Sequence, residues 1–203
     1  PNEEGYFKDS LNIFQNCVES LLKTVHEKTF ITIVNNGSCN KVVTYLNALF
    51  EDDKIHELIH TENIGKLNAI LKGLAGNNMK LVTISDADVL FCAQWQQETI
   101  KVFNSFPKAG VVGIVPQFKL YESNCGNLLF DNLFSSKLKF SAVEDSKQLV
   151  QFYESIGWDK SYNQDYLKQH LTITDNNCTA VVGSGHFVAT YKKELFNEVV
   201  TYI

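Results

Sequence analysis

Along the first 116 residues, four short runs of aliphatic and β-branched residues alternate with stretches whose apolar positions recur every three or four residues. The runs Thr29 to Val34, Ile55 to His60, Leu81 to Ile84 and Ala109 to Val115 have the length and composition of strands. Tyr6 to His26, Asn40 to Phe50, Leu67 to Leu74 and Gln94 to Phe106 each carry one apolar face, as in Leu11, Phe14, Val18, Leu21, Leu22 and Val25, and predict helices. Alternation at this spacing specifies an α/β fold, a mostly parallel mixed sheet with helices on both faces. Since a helix opens the chain, the first strand of such a sheet is expected to be missing.

Past Gln117 the pattern loosens. Tyr121 to Leu133 is rich in Asn, Gly and Phe, and Ser146 to Leu171 reads as partly helical with a break near Gly157-Trp158-Asp159. Two apolar runs, Thr179 to Val182 and His186 to Thr190, flank Gly183-Ser184-Gly185, and a closing helix is predicted from Tyr191 to about Val200. A length of 203 residues suits one domain, with residues 1–116 as one half and 117–203 as the other.

Composition narrows the partners. A hydrophobic share of 44% and a charged share of 20% are those of a soluble globular chain, and a net charge of -5 argues against non-specific binding to nucleic acid. Every fixed positive charge is a lysine, so bidentate arginine clamping of phosphate is excluded. Phosphate recognition must use lysine, a metal ion or backbone amides. The five cysteines, Cys17, Cys39, Cys92, Cys125 and Cys178, are odd in number and lack a Cys-x-x-Cys pattern. They fit buried thiols in a reducing compartment better than disulfides or a zinc site. No apolar run reaches the length of a membrane span and no signal peptide opens the chain, so the expected location is cytoplasmic, including the inner face of a membrane.

Three of the predicted strands end in polar loops: Asn35-Asn36-Gly37-Ser38, Glu62-Asn63-Ile64-Gly65-Lys66 and Asp86-Ala87-Asp88. Ser38 is placed to cap the helix that follows it. In open α/β sheets, ligands bind at this edge, and adjacent strands would bring the three loops together. Two aspartates two residues apart offer hard oxygen ligands to a divalent cation that completes its shell with phosphate oxygens.

In order and spacing these motifs resemble those of the family two nucleotide-sugar glycosyltransferases of the GT-A fold. That pattern is a strand ending in Asp-Asp-Gly-Ser, then Asn-x-Gly-Lys with Ala and Gly on the next helix, then Asp-x-Asp, then a Gly-rich acceptor segment. Here Asn35-Asn36-Gly37-Ser38, Asn63-Ile64-Gly65-Lys66 with Ala69 and Gly73, Asp86-Ala87-Asp88 and Gly183-Ser184-Gly185-His186-Phe187 stand in the same order. The resemblance covers nearly the whole chain. It implies a metal-dependent, inverting transfer from a nucleoside-diphosphate sugar, of UDP or GDP type, to a hydroxyl on a glycan or lipid-linked acceptor, in polysaccharide or glycan synthesis. Asn35 and Asn36 match positions that contact the base, where the family usually carries aspartate. Lys66 matches a diphosphate contact, and Asp86 sits near the ribose. Asp88, with Asp86, is placed to bind Mn²⁺ or Mg²⁺. Gly183, Ser184, Gly185 and His186 match the segment that shapes the acceptor pocket.

An inverting transfer needs a carboxylate base. Glu194 and Glu198 read as solvated helix positions, and Glu144-Asp145 precedes the Gly-rich segment instead of following it. The base is therefore unassigned, and the chain is expected to be a truncated catalytic domain. Trp158 is weighed as a sugar-stacking ring against an ordinary core role. The alternatives are a non-catalytic domain that binds nucleotide sugar or glycan, and a sugar-nucleotide pyrophosphorylase. The latter needs a basic Gly-rich loop after the first strand, and that region is absent from this sequence.

Overall fold

The computed structural model describes residues 8–117, 119–158, 161, 163–175 and 177–197. The chain divides into two compact units, one made of Pro1–Gln97 with Thr190–Ile203 and the other of Glu98–Ala189.

In the first unit, α1 (Ser10–Thr24) buries Val18, a position of the predicted apolar face, and Cys17 beside it. Its polar positions also have structural roles. Ser20 Oγ accepts the Phe91 N–H at 3.0 Å, Thr24 Oγ1 accepts the Trp95 indole N–H at 3.2 Å, and the His26 N–H donates to Gln96 Oε1 at 2.7 Å. The helix thus anchors the segment that follows β3. Strands β1 (Thr32–Asn36) and β2 (Glu57–Thr61) pair in parallel, with Asn35 opposite His60 and Asn36 opposite Thr61. Between them, α2 (Asn40–Glu51) buries Leu46 almost completely. Next come α3 (Lys66–Leu74), which buries Ala69, and β3 (Leu81–Ser85). The returning chain lies beside β3: the Thr83 and Thr190 hydroxyls meet at 2.8 Å and the Lys193 N–H donates to Lys80 O at 3.0 Å.

Helix α4 (Trp95–Ser105) leads into the second unit. There β4 (Val111–Gly113) is followed by a 3-10 turn at Leu120–Glu122 and by α5 (Gly126–Asn132). Strand β5 (Leu138–Ala142), α6 (Ser146–Ser155), a 3-10 turn at Gln164–Leu167, β6 (Gln169–Asp175) and β7 (Cys178–Val181) complete it. The strands β5, β6 and β7 form an antiparallel sheet in that order, with Phe140 opposite Leu171 and Ile173 opposite Ala180. Leu171, Ile173 and Val182 form its core with Tyr121, Leu128, Leu129 and Leu138 packed around them. Finally β8 (Val188–Lys192) carries the chain back to the first unit and ends in a 3-10 turn at Lys193–Phe196.

The mixed α/β architecture agrees with the expectation, and several local elements differ from it. Asn35 and Asn36 are the last residues of β1 rather than loop residues, because their backbones continue the parallel register with β2. Cys39, not Ser38, is the N-cap residue of α2, since the Ser38 N–H is turned back to Asn35 Oδ1 at 2.9 Å. Leu67, placed on an apolar face in the sequence, is 61% exposed. The break expected near Gly157 is present, since α6 ends at Ser155 and Gly157 takes φ 73, but beyond it only a 3-10 turn at Gln164–Leu167 is helical and strand begins at Gln169. The close spacing of β6 and β7, with Asn177 at φ 61 in the turn, makes their pairing a hairpin and therefore antiparallel. The closing helix is replaced by the continuation of β8 to Lys192 and the 3-10 turn. Its remainder, with Glu198, lies outside the described residues, as do Pro1 to Gly5 and Asp159.

Candidate functional site

The ends of β1, β2 and β3 converge in the first unit, and side-chain hydrogen bonds hold them together. Asn36 Oδ1 accepts the Ile64 backbone N–H at 2.8 Å, and Asn36 Nδ2 reaches Asn63 Oδ1 at 3.4 Å. Thr61 Oγ1 donates to the Asn35 carbonyl at 3.2 Å. Gly37 turns the chain with φ 80, and a Cβ built there would stand 2.9 Å from the Asn63 nitrogen. Glycine is required twice over at this position, for its backbone conformation and for the close approach of the two loops.

Lys66 opens α3 and reaches across to β3, where its ammonium donates to Asp86 Oδ1. The lysine side chain is 60% exposed and the aspartate 25%, so the pair faces solvent at the strand ends. The Asp86 carbonyl accepts the Ser85 hydroxyl at 2.8 Å and lies 3.9 Å from the Cys17 thiol, which fixes the backbone of the Asp86-Ala87-Asp88 turn against α1. Burial pushes the Cys17 thiol up; a hydrogen bond from the Val89 backbone opposes this, and the negative charge of Asp88 adds to it. Asp88 itself is exposed.

Among the described residues, no group of three or more His, Cys, Asp or Glu side chains is placed to cage a metal ion. Two carboxylate residues on one turn suit the other mode, in which Mg²⁺ or a similar ion is shared between one or two carboxylates and substrate phosphates. The chemistry of Asp86 and Asp88 is compatible with that mode.

Residues 7–171 match the family described as glycosyl transferase family 2. The chain belongs to glycosyl transferase family 2. No curated protein matches the sequence significantly. As a family 2 glycosyl transferase domain, it takes a nucleotide-sugar donor and an acceptor. Among its described residues, no helix is long and apolar enough to cross a membrane.

Of the donor-side residues singled out in the sequence, Asn35, Asn36, Lys66 and Asp86 are brought together by the strand ends, with Asp88 on the same turn as Asp86. The two asparagines differ from expectation in their surroundings. Asn35 is 5% exposed, and its amide is engaged by Ser38 and His60. Asn36 spends its amide on Ile64 and Asn63. Both work as internal ties between the β1 and β2 ends. Asn63, part of the Asn-x-Gly-Lys motif, takes part in these ties, as do His60 and Asn47, which were not singled out in the sequence. Nothing in the sequence pointed to them, because the register that sets Asn35 opposite His60 is a property of the paired strands.

The glycine-rich segment lies in the second unit. Ser184 forms an antiparallel bridge with Pro116, and Gly183 takes φ 115, with a Cβ there 2.9 Å from the Gln117 carbonyl oxygen. Gly183 is thus required by a close passage of two backbones. His186 is exposed, with its ring 4.6 Å from that of Phe187. The Trp158 ring packs against Tyr153 at 4.7 Å, as a core-edge residue does. Asp145, considered above as a base, caps α6 by accepting the Gln148 N–H at 2.9 Å.

Proposed function

We propose that the joined ends of β1, β2 and β3 bind the diphosphate of a UDP- or GDP-type sugar, and that the domain passes this sugar with inversion to a hydroxyl of a glycan or lipid-linked acceptor. The observation that supports this best is the reach of Lys66 from the start of α3 to Asp86 at the end of β3. That contact sets a cation and a carboxylate at the sheet edge where α/β folds bind ligands, with Asp88 two residues further along the same turn. Lys66 acts as a point charge on the diphosphate, and Asp86 holds that ammonium in place before the donor arrives. Asp88 and Asp86 are the residues that would hold Mn²⁺ or Mg²⁺, an ion that supplies Lewis-acid stabilisation to the leaving nucleoside diphosphate. The Gly183-Ser184-Gly185-His186 bend is assigned to the acceptor, and synthesis of a polysaccharide or glycan is the role this chemistry suits.

Calorimetry with UDP-, GDP- and dTDP-sugars, with and without Mn²⁺, tests the proposal. Metal-dependent binding of at least one donor is expected, and the absence of binding by any of them would overturn it. Binding without turnover, whether or not Asp88 is replaced by Ala, would favour the alternative of a non-catalytic donor-binding domain. The buried position of Asn35, where the family usually carries aspartate, is the observation that keeps that alternative in view.

A further inference from the structure

The end of β1 is held by a chain of hydrogen bonds in which every donor and acceptor is determined. The Ser38 backbone N–H can only donate, so the Asn35 atom it meets at 2.9 Å is the amide oxygen. The other arm of the amide, Nδ2, then faces His60 Nδ1 at 2.9 Å and must donate to it. Nδ1 is therefore a bare acceptor, and the imidazole proton lies on Nε2. His60 Nε2 in turn stands 3.0 Å from Asn47 Oδ1, an acceptor on α2. The Asn35 side fixes the tautomer, and the Asn47 amide oxygen facing Nε2 agrees with it. Flipping the Asn35 amide would set N–H against N–H at Ser38, so the arrangement has one solution among the neutral forms.

We propose that His60 is a positioning residue of the donor site. As the neutral Nε2–H tautomer it orients the Asn35 amide, and through that amide the Ser38 backbone that leads into α2. The inference rests on the donor-site reading for its functional consequence and on the hydrogen-bond geometry alone for the tautomer. Asn35 is 5% exposed, so its amide needs internal partners, and a buried donor left without one is costly. Within one residue along the strand, Asn36 holds the β2 loop that carries Lys66. Loss of the His60 acceptor therefore loosens the same strand end that aligns the donor-binding loops. Because His60 touches no reacting atom in this scheme, its removal acts on donor affinity more than on the chemical step. A carboxamide that can place its oxygen near the Nδ1 position should substitute for it.

Two measurements on the full chain test this. Long-range proton-nitrogen spectra of protein labelled in its histidines, with the His60 signals identified by their loss in His60→Asn, are expected to show a protonated Nε2 and an unprotonated Nδ1 near neutral pH. A protonated Nδ1 would overturn the hydrogen-bond assignment. In steady-state kinetics, His60→Ala is expected to raise the donor KM by about 5- to 10-fold with kcat changed less than about 2-fold, the size of one hydrogen bond. His60→Asn is expected to recover most of that loss. A donor KM unchanged in His60→Ala, in a wild-type protein that does turn over donor, would overturn the positioning role. If the wild type binds no nucleotide sugar, the donor-site reading and the functional role of His60 fall together, and the spectra still decide the tautomer.

Discussion

Asn36 Oδ1 accepts the backbone N–H of Ile64 at 2.8 Å, a bond that ties the last residue of β1 to the loop after β2. It orders the approach to Lys66, which stands two residues beyond Ile64 at the start of α3. Replacing Asn36 with Ala removes the acceptor and should lower unfolding free energy by about 1–2 kcal/mol, with weaker donor binding. Asn36→Asp keeps an acceptor for Ile64 and should remain close to wild type in stability. Urea unfolding of the two variants makes the comparison, and equal losses would show that the bond contributes nothing specific.

Lys66 and Asp86 form an ion pair that is largely open to solvent, so its direct contribution to folding is under about 1 kcal/mol. Lys66→Gln should leave the midpoint of urea unfolding nearly unchanged while weakening nucleoside-diphosphate affinity by about 10-fold, and the effect should shrink as salt is raised. A large loss of stability with unchanged affinity would reverse the assignment of this lysine to the ligand.

Asp88 adds to the upward shift of the Cys17 thiol that burial produces. Asp88→Asn should therefore lower that thiol and speed its alkylation at a given alkaline pH, measured by mass spectrometry of peptides labelled over time. In the wild type, exposed Cys92 should react before buried Cys17 and Cys178. The same substitution should abolish metal-dependent turnover while the fold persists in circular dichroism.

Gly37 combines φ 80 with a Cβ position 2.9 Å from the Asn63 nitrogen. Gly37→Ala should cost about 1–3 kcal/mol from backbone strain alone, before the displacement of the Asn63 loop is added. Thermal unfolding gives the stability, and donor titration should show the accompanying loss of affinity. An alanine variant as stable and as tight-binding as the wild type would exclude close apposition of the two loops.

His170, in β6, is held below its ordinary value by burial, and Glu144 partly opposes this. The unfolded chain therefore takes up a proton at this histidine before the folded one does. Stability from this group is complete above the ordinary histidine value of about 6.5 and declines as pH falls from there through the lower folded value. His170→Gln should flatten this part of the acid limb in unfolding measured between pH 7.5 and 5. An identical slope in both proteins would rule out the contribution.

The alternation of helix and strand was legible because apolar residues at periods of about 3.6 and 2, or in short continuous runs, report local burial directly. That is why α1, α2, α4, β1, β2 and β3 lie close to where their patterns place them. The order of Asn35-Asn36-Gly37-Ser38, Asn63-Ile64-Gly65-Lys66 and Asp86-Ala87-Asp88 likewise pointed to one sheet edge and to family 2. Pattern did not reveal the β5–β6–β7 sheet: Gln169 to Asp175 alternates weakly, with Thr172 buried beside Leu171 and Ile173. Its strand character comes from pairing with β5 and β7, which are distant or reversed in sequence.

The sequence alone determined the α/β class and the order of the polar loops at the strand ends, since both follow from local spacing and residue type. Tertiary structure decided what those side chains do. Whether an asparagine faces a ligand or the protein depends on which polar atoms of other segments lie within hydrogen-bonding distance. For Asn35 these are Ser38 and His60, and for Asn36 they are Asn63 and Ile64. Parallel pairing of β1 with β2 set Asn35 opposite His60, and no one-dimensional pattern records that register.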